Sequence, residues 1–169
     1  MRSSAAVDKV RVMEARPAPE GEHLPATRPL LLSLRPRFAQ AILNGTKTVE
    51  LRRTRVSALP GTLLVLYASS PVMAVVGVAT MADRDTASPS TIWQRYRNRL
   101  GLSRTEFYEY FAGAEQATAL SIISPRMLPE PLTLTRLRTH SAFQPPQSYR
   151  YITPTDPPPL AELAVTWSN

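Results

Sequence analysis

The stretch NGTKTVELRR, residues 44 to 53, decides how the rest of the chain is read. Asn44-Gly45 is a left-handed helix stop, and the residues after it alternate in strand fashion. Val49 and Leu51 point to one side; Thr48, Glu50 and Arg52 point to the other. With Val49 and Leu51 buried, Glu50 and Arg52 emerge about 7 Å apart on the opposite face, two residues at strand rise. One lysine, one glutamate and two arginines within seven positions leave two readings. The strand is a solvated edge with a cross-strand salt bridge, or it is the floor of a site that handles anions.

Upstream, PLLLSL (29–34) predicts a short strand buried on both faces. RPRFAQAILNG (35–45) predicts a short helix with Pro36 in its first turn and Phe38 and Ile42 on one face. Downstream, TLLVLYASS (62–70) is a strongly apolar strand, and AVVGVATMA (74–82) is its hairpin partner. The middle of the chain is helical. SPSTIWQRYRNRLG (88–101) spaces Ile92, Tyr96 and Leu100 on one face, with Arg95 and Arg99 on another. Ser103 and Glu106 form a capping box that opens a second helix, closed by Gly113, whose Phe107, Tyr110 and Phe111 read as core. ATALSII (117–123) returns to strand, PLTLTRL (131–137) is a further strand or irregular edge, and FQPPQSYRYI (143–152) is extended and stiffened by proline. Strands at both ends with helices inserted between them predict an α+β fold around a small, mostly antiparallel, barrel-like sheet. Residues 1–28 lack apolar periodicity and read as a flexible N-terminal tail, leaving 29–169 as the domain.

Composition bounds the chemistry. The 169 residues contain no cysteine, which removes disulfides, thiol nucleophiles and cysteine-ligated metals. His23 and His140 are too scattered for a histidine metal site, and Asp83 and Asp85 read as a polar loop. No apolar run approaches the ~18 residues of a membrane span, and the N-terminus lacks a secretory h-region, so a cytoplasmic protein without membrane contact is expected. The net charge of +7 points to polyanionic partners, although eighteen arginines, two lysines and 17 prolines also fit a GC-rich compositional bias. Lys47 is the one lysine after residue 28. An ammonium there can approach a phosphate as a point charge or lose its proton when desolvated, whereas a guanidinium does not titrate. On sequence alone it sits at the rim, where the helix has just ended.

Gly45, Lys47, Glu50 and Arg52 spell GxKxxExR, which resembles the signature of the ASCH (activating signal cointegrator homology) domain. LLSLRPRFAQAIL before it, YASSPVMAVVGVA after it and the late PPQSYRYI resemble long bacterial members, so the likeness runs from about Leu30 to Ile152. The resemblance implies a PUA-like pseudobarrel with a cleft lined by the motif strand and the helix before it, and a role in RNA binding, RNA processing or gene regulation. Some similar proteins are enzymes. One branch removes the acyl group from N4-acetylcytidine, but its nucleophilic threonine falls at Glu50 here. Another cuts single-stranded RNA with a lysine, a tyrosine and a serine, for which Lys47, Tyr67 or Tyr149, and Ser148 are counterparts.

From these readings, the catalytic candidates are Lys47, Glu50 and Tyr67. The candidates for binding RNA, single-stranded nucleic acid or a nucleotide-like small molecule are Ser33, Arg35, Lys47, Glu50, Arg52, Arg53, Ser69, Ser70, Gln147, Ser148, Tyr149 and Arg150. No cofactor and no metal are expected. In PPQSYRYI, aromatic, amide and guanidinium groups together are the means of holding a splayed-out base. Two rival readings use the same groove: a small-molecule hydrolase or sensor, and a protein-interaction module that receives an acidic peptide.

Overall fold

The computed structural model describes residues 27–168. The expected tail therefore lies almost wholly outside the described residues. Six strands form one sheet in the order β2-β5-β4-β3-β1-β6, which curls into a half-barrel. β1 (Leu30–Leu34) and β3 (Leu63–Ala68) are parallel neighbours; every other pairing is antiparallel. β1 carries leucine at four of its five positions because layers cover both its faces. α1 (Pro36–Leu43) follows at once, with Pro36 in its first turn and Ile42 buried in the half-barrel core. Gly45, at φ 81°, turns the chain into β2 (Val49–Arg52).

β3 and β4 (Ala74–Ala87) make the expected hairpin, but β4 runs well past Ala82. Asp83 to Asp85, read as a loop, lie in this strand, and Asp85 is held by Arg95 and the Tyr96 hydroxyl. A second merger joins the two predicted strands 117–123 and 131–137. Ala117–Thr133 is one long strand, β5, paired to β4 almost throughout, and Leu134–Leu137 is a helical turn, α4. The intervening Pro125 and Pro129 broke the pattern on paper; register shifts along the β4–β5 ladder absorb them. Gly77 sits where the sheet is tightest, since a Cβ there would come within 2.6 Å of the Arg126 carbonyl oxygen.

The inserted helices are α2 (Pro89–Tyr96), a 3₁₀ turn (Arg97–Arg99) and α3 (Arg104–Tyr110), which opens with the Ser103–Glu106 capping box. They cover the outer side of β2, where Val49 and Leu51 pack against Ile92, Leu100, Phe107 and Phe111. β6 (Tyr149–Tyr151) adds an edge to β1. The sequence reading gave residues beyond Ile152 no structure; they form α5 (Pro158–Trp167), which packs Leu160 and Ala164 on the far side of the sheet. Among the described residues no helix is long and apolar enough to cross a membrane.

Candidate functional site

Both faces of β2 are buried, so the motif strand is not a solvated edge. The inserted helices take the Val49–Leu51 face, while Glu50 and Arg52 turn inward to the open end of the half-barrel, beneath α1. Lys47 is not at the rim but 2% exposed. Its ammonium donates to the carbonyls of Val49 at 2.8 Å and Leu100 at 2.6 Å and lies 3.3 Å from Glu50 Oε2. Arg52 Nη1 donates to Glu50 Oε1 at 2.9 Å, and Nη2 donates to the Ser33 carbonyl at 3.3 Å. One carboxylate thus stands between two cations, all three no more than 6% exposed. A charge removed from water persists only with such compensation.

Lys47 has three N–H groups and three acceptors around it, so its head bridges the motif strand to the insertion. Gly101, at φ 66°, lets the insertion close onto that stem: a Cβ there would lie 3.1 Å from Lys47 Cβ. Burial pushes the ammonium below its usual 10.5, with Glu50 pulling the other way and Arg52 and Arg37 pushing down. The consequence for folding has a definite sign. Between the folded pKa and 10.5 the unfolded chain holds a proton that the folded one has released, so stability rises with pH there. Unfolding free energies of wild type minus Lys47→Met, measured against pH, are expected to climb through that window. A pH-independent difference would refute the shift.

Above this triad lies a cavity of about 490 Å³. It gathers Ser33, Arg35, Lys47, Glu50 and Arg52 with Ser69, and Gln147 and Ser148 from the proline-stiffened segment close its other side. Ser33 Oγ donates to the Pro146 carbonyl, which ties that segment to β1. The remaining candidates lie elsewhere. Tyr67 is 3% exposed in the opposite core with Leu31, Val65 and Phe143, because its place in β3 aims it away from the cleft. Burial there raises its phenol pKa. Arg53 donates to the Tyr110 and Ala112 carbonyls and so caps the end of α3. Ser70 is exposed in the β3–β4 turn, and Tyr149 donates to the Arg55 carbonyl at 3.1 Å. Arg150 forks onto Asp156 at 2.9 and 2.6 Å.

The sequence reading missed one wall of the cavity. Arg37 and Phe38 on α1, Leu102, and Glu106, Glu109 and Tyr110 on α3 line it as well. Tyr110 was assigned to the core, but it is 42% exposed and faces the cleft. Arg37 pairs with Glu106 across the two helices. Glu106 accepts the Ser103 backbone N–H as well as that guanidinium, and together they hold its carboxyl down at about 2. The only signal for this wall was the i, i+3, i+4 spacing of Glu106, Glu109 and Tyr110, which puts three polar-tipped groups on one helix face.

A family profile described as a domain of unknown function (DUF365) matches residues 30–143. The ASCH domain-containing ribonuclease of Zymomonas mobilis is 33% identical over 141 residues, which is 83% of this chain and 95% of that protein. The chain belongs to the ASCH family. The crystal structure of ASCH from Zymomonas mobilis aligns with a TM-score of 0.74 at 33% identity, covering 80% of this chain and 95% of that one. The same protein has been solved with a serine-to-alanine and with a tyrosine-to-phenylalanine substitution. The N-terminal domain of Staphylothermus marinus McrB is alike in fold alone, at 10% identity and a TM-score of 0.50 over 88% of this chain and 98% of that one. In this ASCH domain, then, the GxKxxExR residues form a buried charge triad at the floor of a cleft.

Proposed function

We propose that the cleft of this ASCH domain binds single-stranded RNA, taking one nucleotide into the cavity with its phosphate on the arginine wall. The observation that carries this reading is an orphan. Arg52 Nε is buried with no hydrogen-bond partner, although its two terminal nitrogens are engaged. A buried guanidinium N–H left unpaired costs about 1–3 kcal/mol or more, and a phosphate oxygen supplies the missing acceptor. Arg35, Ser69, Gln147 and Ser148 add donors around the same space. The cavity is within the ~300–1,000 Å³ usual for small-ligand sites, and a duplex cannot enter it; an unstacked nucleotide can.

Filter binding with single-stranded RNA, duplex RNA and DNA, at low and at physiological ionic strength, tests the proposal. Single strands are expected to bind in preference to duplex, with affinity falling as salt rises. Binding no better than that of an unrelated basic protein would sink it.

A second reading is strand cleavage, favoured by the name ribonuclease borne by the 33% identical relative. In general acid–base scission the 2′-hydroxyl attacks the adjacent phosphorus and the bond to the 5′-oxygen breaks. The products are a 2′,3′-cyclic phosphate and a 5′-hydroxyl, with one proton removed by a base and one delivered by an acid. Lys47 and Glu50 are the proton-transfer groups at the cavity floor; Tyr67 is too far into the opposite core to join them. Cleavage that survives repurification and is lost in Lys47→Arg supports this reading; its absence leaves binding alone.

A further inference from the structure

The two walls of the cleft are opposite in sign. Arg35 before α1, Arg37 on α1, and Lys47 and Arg52 around the single carboxylate of Glu50 form one wall, whereas α3 brings Glu106 and Glu109 with Tyr110 beside them. Glu106 is already engaged by Ser103 and Arg37. The Glu109 carboxylate has no side-chain hydrogen bond or ion pair among the described residues, so it is the open acceptor on that wall. The same cavity is lined by Arg52, whose side chain is 7% exposed and whose Nε is buried without a hydrogen-bond partner. Guanidinium groups and a carboxylate without a protein partner lining one cavity suit a ligand with an acceptor at one end and a donor at the other.

We propose that Glu109 is a specificity-determining residue: it accepts a hydrogen bond from an exocyclic amino group of the nucleotide held in the cleft, and so favours amino-bearing over oxo-bearing bases. This rests on the RNA-binding reading and adds direction to it. A carboxylate repels a phosphate, so the phosphate goes to the arginine wall and the base to α3. A carboxylate accepts from the 4-amino group of cytosine and repels the 4-oxo group of uracil at the same position. The exposed Tyr110 ring next to it is a flat surface on which the base can stack.

Cytosine and uracil differ little in shape, which makes them the discriminating pair. Fluorescence anisotropy with short labelled oligo(C) and oligo(U) RNA, at one salt concentration and neutral pH, reads the preference directly. Wild type is expected to bind oligo(C) about tenfold tighter than oligo(U). Glu109→Gln, whose amide both donates and accepts, should bring the ratio close to one, mainly by strengthening oligo(U). Because Glu109 is exposed and makes no side-chain contact that holds the fold, its melting temperature should match wild type. Equal binding of the two strands by wild type, a preference for oligo(U), or an unchanged ratio in Glu109→Gln would overturn the assignment of Glu109 and leave RNA binding standing. Binding of neither strand would overturn both.

Discussion

Glu50→Gln is expected to destabilise the fold by about 3–5 kcal/mol, the usual consequence of removing one partner from a buried ion pair. Glu50 is 5% exposed and lies between Lys47 and Arg52, themselves 2% and 6% exposed. Glutamine keeps the shape, and its oxygen can still accept from Arg52. Its amide nitrogen, however, then takes the place of the oxygen that lies 3.3 Å from the Lys47 ammonium, and two buried cations are left without an anion. Urea unfolding at neutral pH measures the loss as a shift in midpoint at constant slope. Addition of Lys47→Met removes one of those cations, so the double variant should be less destabilised than the sum of the two single changes. Moderate salt should alter these differences little, because water does not reach the pair. A loss below about 1 kcal/mol would mean that the triad is not what stabilises the motif strand.

Arg52→Lys is expected to weaken single-stranded RNA binding by about 1.5–3 kcal/mol, roughly 10- to 150-fold, with the fold intact. Lysine keeps the positive charge and can still pair with Glu50, but it has no equivalent of the buried, unpaired Nε–H. Charge and geometry separate cleanly here. Since the number of neutralised phosphates does not change, the slope of log affinity against log salt should stay the same while the whole line drops. A parallel drop supports a directed hydrogen bond from Arg52 to the ligand. Unchanged affinity, or a change in slope alone, would show that Arg52 acts only as charge.

These two variants bear on opposite sides of the same motif, and the Lys47 result changes how the motif is understood. A lysine at a rim would serve as a phosphate anchor, replaceable by arginine. The buried Lys47 instead donates to the Val49 and Leu100 carbonyls and pairs with Glu50, so it fixes the insertion over the strand.

The sequence by itself determined the order of elements that frames the cleft. The Asn44-Gly45 stop, the alternation from Val49 to Arg52, the leucines of β1 and the Ser103–Glu106 capping box are local signals, set by backbone sterics and side-chain period, and each is found where the pattern put it, whereas Thr48 precedes the strand and accepts from Arg99. GxKxxExR likewise marked three of the charges that line the cavity. Tertiary structure alone decided which groups meet. Tyr67 and Arg52 both lie on strands of one sheet, yet strand alternation and the half-barrel's curl send one into the far core and the other into the cleft. Glu109 and Tyr110 are more than fifty residues from the motif strand. They reach it because Val49 and Leu51 must be covered by apolar surface and the inserted helices supply it. Burial of that distant surface is a long-range contact with no local signature, and it also takes Lys47 out of water.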